Sequence, residues 1–284
     1  STCILPYINR GYTDIRILFD QSGTQGISPK IIEQKRRDKG EEEGEYSEIQ
    51  NSTVLPPSNS WRTFLQIRHN KHLLCNFLCN KFLYDVQPLL SSSLCKKFIV
   101  SGGFHKLFNS ETPVTMCATT AGISPYHHQS NHEESDTQIF LHVIDTDCST
   151  VHIKSIDRDI ALVGLPLMNH FIGKEVFIQY KDPPAPAYIH MNALQFALSN
   201  DSDLETVTPA DRGKIIQTIY IQSGCDCVSY FAKQGKSKFY KALAVHASFI
   251  TGASDSNVRG SLAFTDPRNC DLGLFYVYFV RWQN

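Results

Sequence analysis

No apolar run in this chain approaches the length that a helix needs to cross a bilayer, so no membrane partner is expected. The N-terminus lacks the charged-then-apolar pattern of a secretory signal. It also lacks an initiator Met, which suggests a fragment or a processed form. A net charge of one sign is missing as well. A formal charge of −1 argues against wholesale coating of nucleic acid and leaves room only for a local basic groove. The nine cysteines are odd in number and lack the spacing of a small disulfide scaffold. They read as reduced thiols of an intracellular protein, in nucleus or cytoplasm. Cys225 and Cys227 flank Asp226, but no further pair stands at zinc spacing. There is no internal repeat, and no low-complexity tract beyond the polar, turn-rich stretch 40–60, which is expected to be a flexible loop.

What is present is ample apolar material, 42% of 284 residues, enough for one large α/β domain or two small ones. The chain is organised around His132 to Gly164. That stretch opens with Glu133, Glu134 and Asp136, continues as a helix with one apolar face, and then alternates from Val151 to Ile156 like a strand. The strand runs into Asp157-Arg158-Asp159. Acids thus sit where a helix starts and where a strand stops, the rim on which open α/β sheets put their chemistry.

Other segments fit the same alternation of elements. Ile15, Ile17 and Phe19 alternate and end on Asp20. Ile31 to Lys39 is a charged, helix-like segment, and Trp61 to Phe82 has the spacing of a core helix pair that includes Cys75 and Cys79. Phe98-Ile99-Val100 leads to Gly102-Gly103, read as a turn, and Val114 to Ala118 reads as a short strand. Glu175 to Tyr180 reads as a strand and Ile189 to Leu198 as a helix. Lys214 to Ile221 is rich in β-branched residues, reads as strand-like, and delivers the chain to Asp226. Phe239 to Phe249 looks helical. His127, His128 and His132 precede the acidic cluster and read as solvated loop histidines rather than metal ligands.

Three strand-like runs therefore finish on an aspartate, Asp20, Asp157 and Asp226, and a helix that starts at Glu134 and Asp136 precedes one of them. In a mainly parallel sheet all these acids would share one edge. Asp145-Thr146-Asp147 precedes its strand and is expected at the opposite edge, as a decoy turn. Clustered carboxylates repel unless a cation neutralises them, and an all-oxygen cluster suits Mg²⁺ or Mn²⁺. Such a site is suited to phosphodiester hydrolysis of DNA or RNA. Basic residues at 30–37 and 233–238 flank the acids in sequence and could hold a phosphate backbone.

The set FDQSGTQGISPKIIEQKRR, HEESDTQIFLH, SIDRDIALVG and SGCDCVSYFAKQGKSKFYKAL resembles the PIN-like and flap-endonuclease-like 5′ nuclease superfamily. It is most similar to mobile-element-associated animal proteins with HEEADTR, SPDTDV and TGCDTTS motifs. The resemblance implies an α/β fold of three layers, with a central mainly parallel sheet flanked by helices. It implies a nuclease domain over 1–250, truncated before its first strand; the remaining 251–284, which ends in Phe275 to Val280, reads as an edge strand or a buried packing segment. It implies one or two Mg²⁺ or Mn²⁺ ions held by Asp20, Glu134, Asp136, Asp157, Asp159 and Asp226. Lys30 and Arg37, seven apart, would engage the scissile phosphate, while Lys233, Lys236 and Lys238 would grip the strand backbone.

Two positions depart from the motifs. Ser135 stands where the family has Ala, a change expected to matter little. Arg158 stands where the family has a small residue, and is expected to pair with a neighbouring acid or point to solvent. A catalytically inactive relic, kept as a nucleic-acid or protein-binding module, is the alternative. Phosphatase chemistry is disfavoured because no phosphate-binding loop accompanies the acids.

Overall fold

The computed structural model describes residues 4–20, 48–102, 117–119, 122–124, 135–182, 184–223 and 236–244. The chain divides into two compact units, Ser1–Cys148 and Ser149–Asn284, a boundary inside the 1–250 span expected as one domain. Both units mix helices with a small sheet. Among the described residues the strands form a four-stranded and a three-stranded sheet. No helix among the described residues is long and apolar enough to cross a membrane.

The first unit begins with α1 (Leu5–Asn9) and β1 (Asp14–Leu18). It continues with the helix pair α2 (Trp61–Gln66) and α3 (Arg68–Leu90), then β2 (Lys97–Ser101), β3 (Cys117–Thr119), β4 (Gly122–Ser124) and α4 (Ser135–Asp145). The sheet order is β1-β2-β3-β4; β1 runs parallel to β2, and the other pairs are antiparallel. Its core is built from Ile4, Ile8, Cys75, Cys79, Val86, Phe98 and Val100. The alternating residues Ile15, Ile17 and Phe19 pack against it, as period-2 spacing demands of a strand with one covered face. Cys75, Cys95 and Cys148 are free thiols. A second cluster of Ile49, Phe64 and Leu73 fastens α2 to the start of α3.

The second unit contains β5 (Thr150–Lys154), α5 (Ile160–Gly164), a 3-10 turn (Leu165–His170), β6 (Glu175–Lys181) and β7 (Ala187–His190). Then follow α6 (Met191–Ser199), a short 3-10 turn (Ser202–Leu204), α7 (Arg212–Gln222) and α8 (Lys236–Ala244). Strands β5 and β6 are parallel, and β7 is antiparallel to β6.

Several expectations need correction here. The stretch 214–221 is helix α7, not a strand. Arg212, Ile215, Thr218 and Ile219 are its buried residues, spaced three and four apart. Ile215 and Ile219 pack with Leu204, Val207 and Ala244, and that tertiary burial outweighs the β-preference of isoleucine. The Arg212 guanidinium is buried with the helix and donates to the carbonyls of Leu198, Asp201 and Val207. Gly213 is required by packing, because a Cβ there would lie 2.8 Å from the Leu165 carbonyl oxygen. The helix expected from Ile189 starts at Met191, while Ile189 and His190 belong to β7. Strand β5 stops at Lys154, so Asp157 lies three residues beyond it, in a turn.

Candidate functional site

At the carboxyl end of β1, the Phe19 N–H bonds to the Ser101 carbonyl at 2.9 Å and carries the strand pairing up to the residue before Asp20. Gly102 makes this possible. Its φ is +96°, and any Cβ would meet the Phe19 carbonyl oxygen at 2.0 Å. Asp20 then reaches across to the amino end of α4. The N–H and the hydroxyl of Ser135 both donate to Asp20 Oδ1, at 3.1 and 2.8 Å. The carboxylate thereby satisfies one of the unpaired N–H groups of the helix start, where negative charge is also favoured by the helix dipole. Lys71 Nζ lies 3.5 Å from Asp20 Oδ2. Asp136, half-buried, occupies the first turn of the same helix, so Asp20 and Asp136 share this rim. Beneath the rim the buried Ser101 hydroxyl donates to Gln138 Oε1 at 3.2 Å. Ser135, expected to matter little, is the residue that joins strand to helix.

The opposite end of β1 is built differently. Arg16 Nη2 pairs with Asp14 Oδ2 at 2.7 Å, and Arg16 Nη1 with Asp145 Oδ2 at 2.9 Å. Lys97 Nζ reaches the same Asp145 oxygen at 3.1 Å, and Thr146 Oγ1 donates to Asp14 Oδ2 at 2.8 Å. Burial pulls the Arg16 guanidinium down from its ordinary value. The bonds and charges of Asp14, and then of Asp145, outweigh that and raise it. Carboxylates here are neutralised by neighbouring cations. This end holds the 145–147 turn, at the edge opposite Asp20 as expected.

In the second unit, Asp157 and Asp159 are exposed on the turn between β5 and α5. Asp157 Oδ1 accepts the Asp159 N–H at 2.9 Å, an Asx-type turn. Asp159 stands at the N-cap of α5, and its Oδ2 accepts a hydrogen bond from the Tyr220 hydroxyl of α7. Lys236, the first residue of α8, places its ammonium 3.3 Å from the centroid of the Tyr220 ring. Two residues predicted from sequence, Asp159 and Lys236, are thus brought together through a tyrosine that sequence reasoning missed. Lys238 is exposed on the same helix. Arg158 is exposed, one of its two expected courses, and its guanidinium lies over the Tyr180 ring, 4.7 Å from the centroid. Tyr220 carried no legible signal, because it sits within the run misread as a strand.

Lys30, Arg37, Glu134, Asp226 and Lys233, along with His127, His128 and His132, lie outside the described residues. The described acids match Mg²⁺ or Mn²⁺ in donor type. They fall short in number, because no three metal-ligating side chains gather among the described residues. No family model, no curated protein and no solved structure matches this chain.

Proposed function

We propose that this chain is a divalent-metal-dependent nuclease that hydrolyses phosphodiester bonds of DNA or RNA, on a three-layer PIN-like fold. The observation that carries the reading is the seating of Asp20 on the amino end of α4 beside Asp136, which makes one rim from acids more than a hundred positions apart in the chain. The exposed pair Asp157 and Asp159 on the β5 exit turn supports it. In this reading the candidate ligands of Mg²⁺ or Mn²⁺ are Asp20, Glu134 and Asp136 in the first unit and Asp157, Asp159 and Asp226 in the second. A bound ion lowers the pKa of the attacking water and offsets charge on the transferred phosphoryl group. The chain's own contribution is orientation. Ser135 fixes Asp20, the Asx turn fixes Asp157, and Tyr220 fixes Asp159. Lys30 and Arg37 would neutralise the scissile phosphate, and Lys233, Lys236 and Lys238 would hold the strand.

The test is a cleavage assay on labelled DNA and RNA with and without Mn²⁺. Asp157→Ala is expected to lower cleavage about a hundredfold, about 2.7 kcal/mol of transition-state stabilisation. Metal-independent turnover, or full activity in Asp157→Ala, would remove the proposal.

A second reading, an inactive relic that only binds, is favoured by one observation. Both oxygens of Asp20 already face protein donors, Ser135 and Lys71, rather than open space. Salt-sensitive nucleic-acid binding with no turnover in any divalent ion would select it.

A further inference from the structure

Two exposed cations of the second unit are each seated on a tyrosine. Arg158 lies on Tyr180 at 4.7 Å, and Lys236 lies on Tyr220 at 3.3 Å. Both pairs belong to the second unit, and the Lys236 seat is tied to the turn by the hydrogen bond from Tyr220 to Asp159. The placement of Arg158 is informative because two carboxylates adjoin it in the chain. No ion pair joins it to either among the described residues; it rests on an aromatic face instead. A guanidinium held over a ring loses less freedom on binding and keeps donors for a planar or tetrahedral anion. An ammonium fixed on a ring is likewise pre-positioned as a point charge.

From this we infer that Arg158 and Lys236 form a metal-independent phosphate grip, one that takes the phosphodiester backbone of a nucleic acid at the turn bearing Asp157 and Asp159. This rests on the nucleic-acid part of the function proposed above and adds a residue that departs from the motif as an anchor. Tyr180 and Tyr220 act as positioning residues, since they set the cations without touching the phosphate. The neighbouring acids oppose an anion, so the grip works against local repulsion and must be sensitive to it. Removing one acid should therefore tighten binding, while removing a cation should loosen it.

The experiment is fluorescence anisotropy of a short labelled oligothymidine against the whole chain in EDTA, over a salt series. Arg158→Gln and Lys236→Gln are each expected to weaken binding about fivefold and to lower the salt slope by about 0.7, one phosphate contact on a single strand. Arg158→Lys should keep the slope, which separates lost charge from a damaged fold. Tyr220→Phe, which keeps the ring but loses the tie to Asp159, should weaken binding less than Tyr220→Leu, which should bind as Lys236→Gln does. Asp157→Asn retains the turn acceptor and should bind more tightly. Unchanged affinity and slope in Arg158→Gln overturn the inference, as does an unaltered chain that binds no oligonucleotide at low salt. Because no metal is present, a chain that binds in this way and yet never cleaves overturns only the nuclease reading.

Discussion

Asp20 and the pair Asp157–Asp159 follow strands of parallel pairs, yet their carboxylates are held in opposite ways. Asp20 accepts two hydrogen bonds from Ser135, faces Lys71, and knits strand to helix. Asp157 and Asp159 are exposed, and each has one oxygen engaged, by the Asp159 N–H and the Tyr220 hydroxyl respectively. The contrast teaches that a strand-end aspartate can be a helix cap first and a ligand second. Which role leads depends on the residue across from it. Stability and the proposed chemistry should therefore separate: substitutions at Asp20 weaken the fold, and, on the nuclease proposal, substitutions at Asp157 weaken turnover.

The largest expected effect comes from removing the support under Asp20. Gly102→Ala forces an L side chain into left-handed backbone against the Phe19 carbonyl. It should cost about 3 kcal/mol, read as a lower urea midpoint. Asp20→Ala comes next, at about 2 kcal/mol, because it strands the Ser135 N–H and hydroxyl. Ser135→Ala removes only the hydroxyl bond and should cost about 1 kcal/mol. Asp157→Ala, on an exposed turn, should stay within about 0.5 kcal/mol. Equal losses at Asp20 and Asp157 in the same denaturation series would break the comparison.

Much of the first unit was legible because its signals are local. Ile15, Ile17 and Phe19 alternate, the apolar face of α4 repeats at helical spacing, and Asp145 is correctly separated from Asp20 by its position before a strand. The second unit was less legible where long-range packing decides. Nothing local distinguishes Ile215 and Ile219 in a helix from the same residues in a strand. The choice is made by Leu204, Val207 and Ala244, contacts that a string of residues does not reveal. The same misreading hid Tyr220. The aromatic seat of the exposed Arg158 was hidden because Tyr180 lies on β6, distant in the chain, and aromatic seats leave no spacing pattern. The division into two sheets was hidden for the same reason, since strand order is set by pairing and not by chain order.

A change read in the slope against pH uses a second tyrosine–aspartate pair in the second unit. The Tyr240 hydroxyl donates to Asp201 Oδ2 at 3.1 Å, while Tyr240 packs against the cluster around Ile215 and Ile219. Burial, and then the bond and charge of Asp201, push its phenol up to about 12 from an ordinary value near 10. The folded chain thus keeps a proton that the unfolded chain gives up earlier. The stabilisation is full below pH 10 and is lost as pH rises toward 12. Tyr240→Phe has no proton to lose, so its melting temperature should fall less steeply across that window than the unaltered chain's. Near neutral pH it should be slightly less stable, by about 1 kcal/mol for the missing hydrogen bond. Parallel alkaline slopes in the two chains would mean that Asp201 holds Tyr240 no more firmly than solvent does. A tyrosine on a carboxylate would then be no sign of a fixed geometry at Asp159 either.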